Sequence, residues 1–152
     1  MTRAVDLDDI ETPIGYVDLE RVRANARRMA AYAAEHGLGW RPHIKTHKST
    51  AIARLQLEAG ARGLSVATLR EAEVMATLTD DLLLAYPPVG RSKLDRLVGL
   101  PAHVDMKVAL DALPVLTALS ERAAAAGRTV GVLVELDMGL GRVGVQSPEA
   151  AV

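Results

Sequence analysis

The sequence predicts an α/β protein built of successive strand and helix units, the N-terminal part of a (β/α)8 barrel, and three observations lead there. Short apolar runs alternate with helical patterns five times, at a repeat of about 20 to 27 residues, which is the rhythm of parallel strands joined by right-handed crossovers. The length of 152 residues accommodates one domain with a sizeable core but falls short of the roughly 250 residues of a closed eight-stranded barrel. Ser147-Pro148-Glu149 reads as an N-cap followed by proline at the first helical position, close to Val152, so a helix begins there and is not finished. Residues 1–152 are therefore expected to form about five units of a barrel whose remainder lies outside the chain. A complete doubly wound five-stranded sheet is the competing arrangement.

Each element follows from its own pattern. Leu19, Val22, Ala26, Met29 and Ala33 recur at helical spacing, with Asp18 as N-cap and Gly37 as stop. Trp40 to Lys45 reads as a short strand, and a second helix runs from about Ser49 to Ala59, ended by Gly60. Gly63 to Ala67 is a buried strand, and Thr68-Leu69-Arg70-Glu71 is a capping box opening a helix through about Leu78. Leu82 to Tyr86 is a third strand before the breaker Pro87-Pro88, and Leu94, Leu97 and Val98 mark a short helix after Ser92. Val104 to Ala109 is a fourth strand, which hands over through Asp111 to an Ala-rich helix ending at Gly127, and Val130 to Leu136 is a fifth.

Composition removes several functional classes. Eighteen Lys and Arg stand against nineteen Asp and Glu, a formal net charge of -1, which lacks the basic surplus of a nucleic-acid binder. The absence of cysteine excludes disulfides, thiolate nucleophiles and Cys-based metal sites. No apolar run approaches a membrane span and the first residues contain no apolar leader core, so a soluble cytoplasmic protein without membrane partners is expected. With no Phe and 3% aromatic residues, the core must be made of Ala, Leu and Val.

The strongest chemical signal is Arg41-Pro42-His43-Ile44-Lys45-Thr46-His47-Lys48. On a strand, Arg41, His43 and Lys45 share one face, and Lys45 lies toward the carboxyl end, where a barrel places its active-site mouth. A partly desolvated lysine there can lose its proton near neutral pH and form a Schiff base with an aldehyde. If the strand ends early, these are surface cations instead. The second signal is Glu135-Leu136-Asp137-Met138-Gly139-Leu140-Gly141-Arg142-Val143-Gly144. Its glycines permit a tight loop whose N–H groups can approach an anion, and Arg142 can pair with a carboxylate, phosphate or phenolate. Gly139, Gly141 and Gly144 satisfy G-x-G-x-x-G, but they follow the fifth strand and no helix opens at once behind them, so a simple glycine turn is the alternative to a pyrophosphate cradle. The four histidines show no metal-ligand spacing; His36 reads as a helix-end residue and His103 as a loop residue.

Taken together, Thr12-Pro13, Val17-Asp18-Leu19, the 41–48 box, Val66-Ala67-Thr68-Leu69-Arg70-Glu71-Ala72-Glu73 and Asp137 to Gly144 resemble the D-threonine aldolase and eukaryotic-type D-serine dehydratase family. These are fold-type III pyridoxal-phosphate enzymes similar to alanine racemase in the N-terminal barrel. The resemblance implies a pyridoxal 5'-phosphate-binding (β/α)8 barrel followed by a C-terminal β-domain, in a homodimer whose sites involve both subunits. It implies that Lys45 carries the cofactor as a Schiff base and serves as base at the substrate α-carbon. Arg142 matches an arginine near the cofactor, and His43, Thr46 and His47 are neighbouring cofactor-binding candidates. It also implies a divalent metal, Mn or Zn, that polarises the substrate 3-hydroxyl, with ligands outside this chain, as is the phosphate loop. The implied reaction is aldol cleavage or dehydration of a D-3-hydroxy amino acid, with residues 1–152 inactive alone. An amino-acid racemase and a non-catalytic pyridoxal-phosphate protein are the alternatives; the racemases carry Lys-Ala-x-Ala-Tyr-Gly where this chain has Lys45-Thr46-His47-Lys48.

Overall fold

A computed structural model describes residues 6–152. Met1 to Val5, part of the stretch in which no apolar leader core is expected, lie outside the described residues. Helix α1 (Leu19–Glu35) starts where Asp18 accepts the Arg21 N–H at 3.1 Å, and it buries Ala26 and Ala33. It stops at Gly37, whose φ of 65° suits a residue without Cβ. Helix α2 (Thr50–Glu58) is capped by Ser49. Three strand–helix units and a fourth strand follow in order: β1 (Leu64–Val66), α3 (Leu69–Met75), β2 (Asp81–Leu84), α4 (Arg91–Val98), β3 (Asp105–Leu110), α5 (Leu113–Ala125) and β4 (Gly131–Val134).

All four strands are parallel and lie in the order β1-β2-β3-β4. A doubly wound sheet would reverse direction at a switch point. None occurs among the described residues, and a single bridge from His43 to Ser65 adds the preceding segment on the β1 side. The arrangement is an arc of barrel wall, as the sequence predicts.

The alternation of side chains sorts the sheet into two faces. Leu64, Val66, Leu82, Leu84, Met106 and Val108 form one core with Met75 of α3, Leu97 of α4 and Leu119 of α5. The opposite face carries Ser65, Leu83 and Lys107 in one row of the register. At its amino end, Asp81 accepts Arg41 Nη2 at 2.6 and 2.7 Å and Lys107 Nζ at 3.0 Å. These two faces and the row of charges place the carboxyl ends of the strands at the other edge.

Four strands are shorter than the sequence suggests: Gly63 to Ala67 narrows to Leu64–Val66, Leu82 to Tyr86 ends at Leu84 after starting at Asp81, and the other two change more. Between Trp40 and Lys45 only His43 pairs, and Ile44–Thr46 is a 3-10 turn. Pro42 has no N–H to donate to a ladder, although its carbonyl accepts the Ser65 N–H at 2.8 Å. The strand predicted to Leu136 ends at Val134, and pairing resumes at a Leu136–Val145 bridge across the glycine loop. Val132, Leu133 and Val134 of β4 remain exposed. Ser147 and Pro148 do open a 3-10 turn, Glu149–Ala151, with Ser147 Oγ accepting the Ala150 N–H. No helix among the described residues is long and apolar enough to cross a membrane.

Candidate functional site

The predicted residues fall at the carboxyl edge of the sheet, at its two ends. At the β1 end, the 3-10 turn carries Lys45 and Thr46 outward, both exposed. Lys45 is therefore not a strand residue beside Arg41 and His43. Its amine has no salt-bridge or hydrogen-bond partner among the described residues, whereas Arg41 is held by Asp81 at the amino end of the sheet. Sequence alternation placed Arg41 and His43 on one face correctly and Lys45 incorrectly, because the chain turns at Ile44.

His43 is half-buried, and its Nδ1 accepts the Lys45 N–H at 3.3 Å. Burial lowers its pKa, the Lys45 charge lowers it further, and Glu71 acts in the opposite sense, so the ring is held neutral and can accept. His47 Nδ1 accepts the Ser49 N–H at 3.0 Å, and burial lowers this ring's pKa too. His47 Nε2 is buried without a hydrogen-bond partner. Both histidines brace the backbone on either side of Lys45.

Lys48 closes the turn with a left-handed backbone, φ 50°, and its N–H reaches the Ile44 carbonyl at 2.7 Å. Its Nζ donates to Glu71 Oε1 at 2.7 Å, and Glu71 Oε2 accepts the Ala67 N–H at 2.7 Å. Burial alone would raise the Glu71 pKa, but the Lys48 ammonium and the backbone donors outweigh it and hold the carboxyl below its ordinary value. The capping box is half right: Thr68 Oγ1 accepts the Glu71 N–H, while the Glu71 carboxylate binds one residue earlier and crosses to Lys48. A local pattern could find the cap, not the cross-link.

At the β4 end, Arg142 is exposed and lines a polar cavity of about 320 Å³ with Asp111, Asp137, Gly141, Gly144 and Gln146. Gly139, Gly141 and Gly144 all have positive φ. Their N–H groups are occupied: Gly139 and Gly141 donate to Asp137 at 2.9 to 3.1 Å, and Gly144 donates to Asp111 at 2.8 Å. These bonds hold the Asp137 carboxyl below its ordinary pKa. The loop is thus cradled by the chain's own carboxylates and is not a pyrophosphate cradle. Glu135 lies behind it with its pKa raised by burial and by the neighbouring Asp111 charge, against the pull of Arg142. Its Oε2 is buried without a partner. Asp111, which lines this cavity and accepts the Gly144 N–H, reads from the sequence only as a connector.

His36 caps α1, with Nδ1 on the Tyr32 carbonyl, and His103 sits in a loop near the Ala76 carbonyl. Among the described residues no three His, Asp or Glu side chains gather as a metal-binding group. Pyridoxal phosphate fits the residues present in two respects: Lys45 offers an unpaired amine for an aldehyde, and Arg142 offers an exposed guanidinium for an anionic or phenolic oxygen. The occupied glycine N–H groups do not fit its phosphate.

Residues 17–152 match the family described as alanine racemase, N-terminal domain. The chain is 37% identical over 137 residues to D-threonine aldolase of an Arthrobacter species, covering 90% of this chain and 36% of that protein. It is 35% identical over 151 residues to 3-hydroxy-D-aspartate aldolase of Paracoccus denitrificans, covering 97% of this chain and 39% of that protein. The crystal structure of D-threonine aldolase from Filomicrobium marinum superposes with a TM-score of 0.91 at 38% identity, over 95% of this chain and 40% of that one. The chain thus spans 36 to 40% of the length of these relatives.

Proposed function

The chain belongs to the alanine racemase N-terminal domain family, and from that membership we propose that it forms the cofactor-bearing part of a pyridoxal-phosphate-dependent lyase. The substrate class is D-3-hydroxy amino acids, and the reaction is aldol cleavage or dehydration. The observation that supports this most directly is the exposed, unpaired Lys45 on a braced turn at the carboxyl edge of the sheet, where parallel barrels do their chemistry. The relatives named above, D-threonine aldolase and 3-hydroxy-D-aspartate aldolase, support the substrate class.

Pyridoxal phosphate, when bound, supplies an electron sink for charge developing at the substrate α-carbon. Lys45 would hold it through Nζ, and that nitrogen would serve as the base for the α-proton in a dehydration, or as the acid that returns a proton to the α-carbon in an aldol cleavage, where the Cα–Cβ bond is the one that breaks. His43 orients Lys45 by accepting its backbone N–H and stays neutral beside it. Arg142 holds an anionic oxygen of cofactor or substrate by a charge-assisted bond, on a loop that Asp137 and Asp111 keep rigid. Thr46 and His47 flank the amine as further cofactor contacts. A divalent metal, Mn or Zn, is proposed with ligands beyond these residues, in a cytoplasmic homodimer.

The test is the visible spectrum of the enzyme with added cofactor. A band near the ~410–430 nm of a lysine-bound pyridoxal is the expected result, and it should vanish in Lys45→Ala. Its retention in that variant would overturn the assignment.

A further inference from the structure

Two lysines compete for any aldehyde that reaches this turn. Lys45 and Lys48 are three positions apart and both are open to solvent, the Lys48 side chain at 64%, so access does not choose between them. Building on the pyridoxal-phosphate reading above, we propose that Glu71 makes the choice: it holds the Lys48 ammonium in an ion pair and leaves Lys45 as the amine free to condense. Condensation needs a nitrogen lone pair. The neutral amine adds to the aldehyde carbon, the C=N bond forms, and the aldehyde oxygen leaves as water; an ammonium has no lone pair to offer.

Three features make Glu71 suited to that task. It is a charged side chain only 7% exposed, so it relies on Lys48 and the backbone for the partners that water would otherwise supply, while the exposed Lys48 leaves the pair partly screened. Its carboxylate is held at Oε2 by the Ala67 N–H, which leaves Oε1 for Lys48, and Thr68 Oγ1 anchors the backbone behind it by accepting the Glu71 N–H. Lys48 is the one non-glycine residue with positive φ among the described residues, a conformation that costs about 1–2 kcal/mol. Glycine is the usual occupant of such a turn-closing position. The residue found there is instead one whose side chain reaches Glu71 at 2.7 Å. Glu71 is in these terms a positioning residue that acts through Lys48.

The experiment is borohydride trapping of the enzyme after incubation with pyridoxal phosphate, followed by peptide mapping with fragmentation that separates positions 45 and 48. In wild type the label should fall on Lys45 by at least tenfold over Lys48. In Glu71→Gln, which keeps the shape and an acceptor for Ala67, the ratio should shift at least fivefold toward Lys48. Lys48→Arg keeps the ion pair and should label Lys45 as wild type does. A purely structural role for Glu71 would lower total labelling and leave the ratio alone. An unchanged ratio in folded Glu71→Gln overturns the role of Glu71 by itself, whereas a wild type unlabelled at Lys45 overturns the cofactor reading and this inference together. Should Glu71→Gln not fold, wild-type competition with acetic anhydride replaces it: Lys48 should acetylate at least fivefold more slowly than Lys45, and equal rates overturn the proposal.

Discussion

Removing the Asp81 carboxylate should unfold this chain more readily than removing any neighbouring acid. Asp81 receives Arg41 and Lys107, whose side chains are 20% and 25% exposed. Breaking a fully buried pair costs ~3–5 kcal/mol, while an exposed pair contributes ~0–1 kcal/mol. These partial exposures place Asp81→Ala between the limits, at about 2–3 kcal/mol, because Arg41 loses its carboxylate and Lys107 keeps only the exposed Asp105. Asp105 also meets Lys107 but is 69% exposed, so Asp105→Ala should cost less than about 0.5 kcal/mol. The pH dependence has a fixed sign. Burial pushes the Asp81 pKa up, but Arg41 and Lys107 outweigh it and leave it lowered. A depressed folded-state pKa gives stability that is present above the unfolded value of about 3.9 and is lost as pH falls through the folded one. The gap between wild type and Asp81→Asn should therefore be full at pH 7 and close in acid below about pH 4. Urea unfolding followed by far-UV circular dichroism at pH 7, 5 and 3 measures it. An Asp81→Ala midpoint equal to wild type, or an equal loss in Asp105→Ala, would refute the reasoning.

Two other outcomes follow from the β4 end. Arg142→Ala should lower turnover of the enzyme by more than tenfold, about 1.4 kcal/mol or more of barrier, with its melting temperature unchanged, since Asp137 and Asp111 set the loop; Arg142→Lys should restore only part because it lacks the planar fork, and wild-type kinetics in both variants would remove the role. Glu135 has a raised pKa, so it favours folding below its unfolded value and loses that contribution as pH rises through the folded one; Glu135→Gln should be more stable than wild type near neutral pH, and thermal melts showing lower stability would contradict this.

The order of elements was legible because each boundary is local. Asp18, Ser49 and Thr68 mark helix starts by accepting N–H groups three residues ahead, and alternation survives in the burial of β2, whereas β1 is buried at every position. Relations between distant residues were not legible. Alternation tells that Arg41 and His43 share a face, but the acid opposite Arg41 lies forty residues on, and its identity depends on strand register. Pro42 was visible, yet whether its missing donor ends the strand depends on what the next residues do instead. The glycine spacing showed where N–H groups could converge; it did not show that Asp137 and Asp111 already take them.

The strand order carries a consequence for how the molecule is made. Among the described residues every ladder joins strands that are neighbours in sequence, so within this arc no segment must wait for a later one to return to it, as the first strand of a doubly wound sheet does; only closure of a full barrel would ask that of its first strand. During synthesis, which proceeds at about 5–20 residues per second, each completed strand presents an edge on which the next can align as soon as its crossover helix has formed. The growing front then moves from the His43 bridge through β1, β2 and β3 to β4. At each stage the newest strand is an unpaired and vulnerable edge, and the same edge is the template that ends its own exposure.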